Sequence, residues 1–214
     1  IHPHKLNKLK PVSRLSPNNT NAIPKISKQL VLRYRPQACL EVCLSVKQSA
    51  NSKQNRASRE SQNDHQITSA WNYLKENTSQ KIIPITYINC TASLKSFVGE
   101  HDGAICTSSN AKKVISWAFS QGEKLLFFPD QHLGRNTCYE LGIPLSEMVI
   151  YDPRLPNGGL SKTQIEKAKV ILWYGYCSVH QGFTKEHINH HRSLDKERQI
   201  LVHPECSFDV FLNK

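Results

Sequence analysis

Short runs of apolar and β-branched residues alternate with helix-like stretches from residue 81 onward. Near-continuous apolar runs separated by helices are typical of parallel strands that are buried on both faces. The predicted strands cover 81–89, 103–106, 124–128, 147–151, 169–174 and 199–202. The predicted helices cover 91–98, 110–121, 161–168 and 184–197. The pattern therefore predicts an α/β fold with parallel sheets and helices on both faces.

The first 63 residues differ in composition from the rest of the chain. They contain 12 Lys and Arg against 2 Asp and Glu, whereas residues 64–214 contain 16 against 15. A segment this polar buries too little apolar area to offset its ordering entropy. We therefore predict a basic, irregular or non-homologous head at 1–63, an α/β domain at 64–175, and the start of a further, truncated α/β domain at 176–214.

The basic head bears on partners and location. It is open to two other interpretations, an organelle transit peptide and an RNA-binding arm. Tyr34 is its only aromatic residue, and stacking on nucleic acid usually needs several, so nucleic acid is disfavoured as a partner. No apolar run approaches the roughly 18 residues of a membrane span, so we expect no membrane partner. Seven cysteines without regular spacing favour reduced thiols and hence a cytoplasmic location.

Polar residues follow the predicted strands. Because ligands of parallel α/β folds bind beyond the carboxyl ends of the strands, these residues are candidates for a site. The Thr107–Asn110 segment is interpreted either as a plain helix cap or as an anion site at a helix start. The segment from Pro129 to Arg135 is either a turn that opens a helix or part of a cleft, lined by Asp130, His132 and Arg135.

The spacing of cysteine and histidine suggests a possible metal site. Cys177 and His180 form a C-x₂-H pair, and His203 and Cys206 form an H-x₂-C pair. Together they have the ligand types of a zinc site. Both pairs directly follow apolar runs rather than lying in glycine-rich knuckles, which disfavours structural zinc.

Five ordered motifs within residues 66–214 resemble the quinolinate synthase family. They are Tyr-Ile-Asn-Cys-Thr-Ala, Ile-Cys-Thr-Ser-Ser-Asn-Ala, Phe-Pro-Asp-Gln-His-Leu-Gly-Arg-Asn-Thr, Trp-Tyr-Gly-Tyr-Cys-Ser-Val-His and Val-His-Pro-Glu-Cys. The resemblance implies three related α/β domains around a pseudo-threefold axis and a [4Fe–4S] cluster held by three cysteines. It also implies a transferase that condenses iminoaspartate with dihydroxyacetone phosphate to quinolinate, the pyridine precursor of NAD.

The resemblance also implies roles for individual residues. Cys177 matches one of the three cluster ligands. The implied substrate contacts are Tyr87, Ile88, Asn89, Ser108, His203, Pro204 and Glu205. Within this set Glu205, His203 and Tyr87 are the implied catalytic residues, with Glu205 as the general acid or base. Cys106 and Cys206 belong to the motifs but do not match cluster ligands.

The head departs from the family pattern. Arg56 stands where the family has its first cluster cysteine, and Cys39 and Cys43 lie in a context that does not match. The resemblance thus implies a chain without the family's first domain and C-terminal part, as a fragment, a frame-shifted product or a fusion. We expect such a chain alone to bind substoichiometric cluster and to make no measurable quinolinate.

Two further expectations concern partners. The resemblance implies that L-aspartate oxidase or aspartate dehydrogenase supplies iminoaspartate. The alternative to an enzyme is a non-enzymatic α/β module with a basic nucleic-acid-binding head.

Overall fold

The computed structural model of the protein describes residues 29–30, 64–197 and 199–214. Its strands are β1 (Gln29–Leu30), β2 (Ile82–Tyr87), β3 (Ala104–Cys106), β4 (Lys124–Phe128), β5 (Met148–Tyr151), β6 (Val170–Trp173) and β7 (Gln199–Ile200). Five of them form a parallel sheet in the order β3–β2–β4–β6–β5. The predicted α/β class with a parallel sheet is confirmed.

Helices surround this sheet. They are α1 (Asp64–Glu76), α2 (Ala92–Glu100), α3 (Ala111–Gln121), α4 (Gln131–Glu140), α5 (Lys162–Lys167), α6 (Ser178–Gln181), α7 (Lys185–Leu194) and α8 (Phe208–Leu212). Short 3₁₀ turns lie at Leu145–Glu147 and Pro156–Gly159. The four predicted helices are present as α2, α3, α5 and α7. The structure adds α1, α6 and α8, and extends the predicted helix start near residue 131 into the full helix α4.

The central strands are buried on both faces, as their apolar runs predict. In β4, Leu126 and Phe128 pack into one apolar cluster with α1 and α2, while Leu125 and Phe127 pack into another with α3 and α4. Alternate residues of a strand point to opposite faces of a sheet. Two helical layers therefore cover the sheet, and its carboxyl edge is left for polar residues.

A proline lies inside β2, and proline has no N–H to donate to a sheet ladder. Pro84 is in register with Leu126 of β4. Its carbonyl oxygen faces Gly103, because a Cβ added to that glycine would lie 2.0 Å from it. The nitrogen of Pro84 faces the same side, and pairing with β3 starts only at Ile85 and Ala104. The missing N–H therefore costs the sheet no ladder bond.

The last predicted strand is only partly correct. Of residues 199–202, only Gln199–Ile200 form a strand, and they pair in parallel with Gln29–Leu30 rather than with the main sheet. The remaining predictions for residues 1–63 lie outside the described residues. Within the described part of the chain, no helix combines the length and apolar character that crossing a bilayer requires.

Helix α4 approaches the sheet closely at a glycine. A Cβ on Gly134 would lie 2.7 Å from Leu172 Cδ2 and 2.8 Å from the Phe127 ring. Both neighbours are fully buried, and a packed core yields little to added volume. The absence of a side chain at Gly134 therefore sets the distance between α4 and the sheet.

We expect Gly134→Ala to lower the free energy of unfolding by about 1–3 kcal/mol, because the added methyl group overpacks the core. Urea unfolding measures the change. The matched control is Gly99→Ala on the exposed face of α2, where no atom lies within 4 Å of the new Cβ. That variant should gain up to about 1 kcal/mol from helix propensity. Unchanged stability of Gly134→Ala would contradict the close approach of α4.

Candidate functional site

Tyr87 and Ser108 meet at the carboxyl edge of the sheet. Tyr87 ends β2 in register with Cys106 of β3, and Ser108 lies two residues after the end of β3. The tyrosine ring is buried, and its hydroxyl lies near the side chains of Ser108 and Glu205. Burial and the nearby Glu205 carboxylate raise the pKa of Tyr87 to about 12, so the phenol is protonated at neutral pH.

The turn after β3 is stabilised mainly by the neighbours of Ser108. The backbone N–H of Thr107 donates to Asn110 Oδ1 at 2.6 Å, and the Thr107 hydroxyl contacts Ser109 Oγ at 2.9 Å. Asn110 occupies the N-cap position of α3 without a side-chain cap hydrogen bond. The hydroxyl of Ser108 is directed to Tyr87, so it belongs to the site rather than to the helix cap.

Asp130 follows β4 and is nearly fully buried. Its Oδ1 accepts the backbone N–H groups of His132 and Leu133, both at 2.8 Å, which caps helix α4. Its Oδ2 accepts the backbone N–H of Cys177 at 3.0 Å. Burial raises the pKa of Asp130 to about 6, although these N–H groups and the Arg135 guanidinium lower it.

Cys177 lies at the start of α6, in the loop that follows β6. Gly175 brings this loop against the chain after β4, because a Cβ there would lie 2.1 Å from the carbonyl oxygen of Pro129. The thiol is half-buried, and this burial raises its pKa. One turn later, burial and the neighbouring His203 lower the pKa of His180 to about 4, so its imidazole is neutral at pH 7.

Glu205 is the buried carboxylate of the site. Its Oε2 lies 3.3 Å from His203 Nδ1 and 3.4 Å from His180 Nδ1. The two imidazole rings are stacked, with centroids 4.5 Å apart. Burial and the Asp130 carboxylate raise the pKa of Glu205 to about 7, against the lowering effect of the Tyr87 hydroxyl.

The hydrogen bonds of His203 indicate where a proton lies. Its Nδ1 accepts the backbone N–H of Glu205 at 3.3 Å, so in the neutral ring the proton is on Nε2. This hydrogen bond uses the single lone pair of Nδ1, and Glu205 Oε2 lies 3.3 Å from the same nitrogen. The raised pKa of Glu205 describes a carboxyl group that exchanges a proton near neutral pH.

The structure brings four of the predicted site residues together and leaves others at the margin. Tyr87, Ser108, Cys177 and Glu205 converge at one edge of the sheet. His203 lies beside Glu205, while Ile88 and Asn89 are exposed next to Tyr87. Pro204 takes part through its carbonyl oxygen, which accepts a hydrogen bond from Asn136.

The four residues of the zinc interpretation do not form one ligand set. Within the described residues, the donor atoms of Cys177, His180 and Glu205 lie within 4.8 Å of one another, and Cys206 is outside this group. Cys206 is buried, and burial raises the pKa of its thiol to about 11. The possible metal-binding group is therefore one thiol, one imidazole and one carboxylate.

The sequence alone did not indicate one residue of the site, Asn136, and it left the role of another, Asp130, open. Asn136 was not singled out, although it is fully buried in α4 and contacts the backbone on both sides of Glu205. Asp130 was undecided between domain stability and a cleft. The available signal was the position of both polar residues in a helix that directly follows a fully buried strand.

Comparisons with known proteins agree with the motifs. The family model for quinolinate synthetase A protein (NadA) matches residues 38–214, so the match begins before the segment that carries the five motifs. Proteins named quinolinate synthase are similar to the chain: that of Anoxybacillus flavithermus is 50% identical over 145 residues, and that of Bacillus subtilis is 51% identical over 145 residues. Each alignment covers 68% of this chain and 39% of the relative.

The protein from Halalkalibacterium halodurans, also named quinolinate synthase, is 51% identical over 150 residues, which is 70% of this chain and 40% of that relative. The chain thus spans about 40% of the length of these curated relatives. No solved structure gives a significant match to the chain.

We expect Glu205→Gln to stabilise the chain at alkaline pH. The pKa of Glu205 rises on folding from 4.5 to about 7, so the favourable contribution of its neutral form is present below 4.5 and is lost as pH rises through 7. A glutamine stays neutral throughout. Urea unfolding at pH 8.5 should show a gain of about 1–2 kcal/mol over the parent chain, and a smaller gain at pH 5.5.

The control for this comparison is Glu76→Gln at the exposed end of α1. It removes one carboxylate without touching the site and should change stability equally at both pH values. A pH-independent effect of Glu205→Gln would contradict the raised pKa of Glu205.

Proposed function

Because the chain belongs to the quinolinate synthetase A protein family, we propose that it forms a central part of a quinolinate synthase. This enzyme condenses iminoaspartate with dihydroxyacetone phosphate to give quinolinate in NAD biosynthesis. The observation that carries the proposal is the convergence of the side chains of Ser108, Tyr87 and Glu205 beside Cys177. It supplies a substrate-binding hydroxyl, a phenol and a proton-exchanging carboxyl at one edge of the sheet.

Ser108 and the start of α3 are suited to bind a substrate carboxylate. The Ser108 hydroxyl is a donor, and the first N–H groups of a helix point toward an anion at its N-terminus. Asn89 and the backbone of Ile88 are exposed at the same edge, where they can contact the second substrate. Pro204 and His203 form the opposite wall of the site.

Glu205 is proposed as the general acid and base. A pKa near 7 suits a group that must both accept and donate a proton at neutral pH. The Tyr87 phenol, which remains protonated, orients the carboxylate and can donate to an oxygen that gains negative charge. The neutral His203 ring lies against Oε2 of Glu205 on the other side.

The proposed cofactor is the [4Fe–4S] cluster of the family. The residues fit one corner of it: Cys177 is half-buried and lies next to His180 and Glu205. Within the described residues, neither Cys106 nor Cys206 belongs to a group of possible metal ligands, and both are buried. A cluster with three cysteine ligands supplies one iron as a Lewis acid when bound.

Further proposals concern the surroundings of the enzyme. Iminoaspartate hydrolyses readily, so an L-aspartate oxidase or aspartate dehydrogenase is the proposed source, in the cytoplasm. The comparisons give no support to the alternative of a non-enzymatic module with a nucleic-acid-binding head.

The proposal is tested with a chimera in which residues 66–214 of this chain replace the matching segment of the Bacillus subtilis relative. After anaerobic reconstitution with iron and sulfide, we expect the chimera to make quinolinate from iminoaspartate and dihydroxyacetone phosphate. Glu205→Gln in the chimera should lower kcat by about 10²–10⁴-fold, the usual contribution of a general acid or base. The unaltered 214-residue chain, assayed in parallel, should make none.

The matched control is Glu166→Gln in the chimera, which removes an exposed carboxylate away from the site. The Glu166→Gln chimera should retain full activity. A chimera that folds and loads iron but forms no quinolinate would overturn the proposed function. Full activity of its Glu205→Gln variant would overturn the role of Glu205 alone.

A further inference from the structure

Two buried polar side chains of α4 each hold one segment of the site. Asp130, the N-cap of α4, is 4% exposed, and Asn136, near the middle of the helix, is 0% exposed. Asp130 contacts the segment that contains Cys177, and Asn136 contacts the segment that contains Glu205. These two segments are separate in sequence, and both follow the main sheet.

The carboxylate of Asp130 makes more hydrogen bonds than a helix cap requires. One oxygen suffices to cap the helix, and Oδ1 does so with two N–H groups of the first turn. The second oxygen, Oδ2, accepts the N–H of Cys177, which is 47 positions further along the chain. A serine or threonine cap has no second oxygen to offer, so the carboxylate is required for the contact with Cys177 rather than for the helix.

The amide of Asn136 fixes the backbone around Glu205. Its Nδ2 donates to the carbonyl oxygens of Pro204 and Cys206, both at 2.8 Å. Because both neighbours are acceptors, the amide nitrogen must face them. The two bonded carbonyls lie on either side of Glu205, so they determine the direction in which its side chain leaves the backbone.

We propose that Asp130 and Asn136 are positioning residues that hold Cys177 and Glu205 at a constant distance from each other. The two residues are six positions apart, which corresponds to a rise of about 9 Å along the helix. Helix α4 thereby fixes the distance between the segment that contains the Cys177 thiol and the segment that contains the Glu205 carboxylate. The inference rests on the proposed function only for the role of Cys177 as a cluster ligand.

The first test separates the contact with Cys177 from the helix cap. In Asp130→Ser the hydroxyl still caps α4 but is too short to reach Cys177. Residue-resolved hydrogen–deuterium exchange on the full chain should show the Cys177 amide exchanging about 10- to 100-fold faster, while the His132 and Leu133 amides keep their protection. Unchanged protection of the Cys177 amide would overturn the role of Asp130.

The control variant is Ser161→Ala, which removes the capping box of α5 away from the site. It should lower the stability of the chain, as the loss of a helix cap usually does. The Cys177 amide should stay protected in this variant. Equal acceleration in Ser161→Ala would show that general destabilisation, and not the lost contact, explains the result.

The second test concerns Asn136. In Asn136→Leu, or in the smaller Asn136→Ser if the first variant does not fold, both donations are lost. Pulsed alkylation with iodoacetamide and peptide mass spectrometry should then show Cys206 reacting about tenfold faster or more, because release of its carbonyl frees the segment. Cys138, which is fully buried in α4, is the internal reference and should remain protected. An unreactive Cys206 would overturn the role of Asn136.

The third test connects positioning with the cofactor. At limiting iron, the Asp130→Ser chimera should bind about tenfold less iron and sulfide per chain than the parent chimera, the loss typical of residues that orient a metal ligand. The Ser161→Ala chimera should load normally. Normal loading of Asp130→Ser would show that Cys177 needs no positioning. If the parent chimera makes no quinolinate while the exchange and alkylation results hold, the proposed function fails and the positioning role stands.

Discussion

The buried carboxylate of Asp130 is the interaction on which the geometry of the site depends. It accepts hydrogen bonds from three backbone N–H groups, two in the first turn of α4 and one at Cys177. A buried carboxylate is stable only when such donors replace the water that it loses. The requirement to satisfy Asp130 therefore joins the ends of β4 and β6, and the site forms where these strand ends meet.

A second carboxylate in the same region is not satisfied in this way. The Tyr87 hydroxyl lies near Glu205, and two neutral imidazoles lie near its Oε2. Its raised pKa follows from burial and from the charge of Asp130. The two carboxylates are thus divided between two tasks: Asp130 organises the backbone, and Glu205 remains available to exchange a proton, at a cost in stability.

Local patterns were sufficient for most of the sheet and insufficient for its margins. Strands β2 to β6 are recognisable because burial on both faces requires continuous apolar runs. Helix α1 was not predicted, because polar residues separate its few apolar ones. Its buried residues nevertheless have amphipathic spacing: Ile67, Ala70, Trp71 and Leu74. The strand predicted at 199–202 was placed in a further α/β domain without a partner, because a short apolar run does not specify one; its partner is β1.

The sequence by itself determined the fold class, the family, and the motif residues Tyr87, Ser108, Cys177 and Glu205, because strand periodicity and residue types at strand ends are local properties. Only the tertiary structure decided which of these side chains touch. It placed the His180 ring beside Glu205 and not in one ligand group with Cys206. It also revealed Asn136, whose hydrogen-bond partners lie about 70 residues further along the chain. Such contacts depend on how a helix packs against a sheet, and the spacing of residues along a chain does not encode that distance.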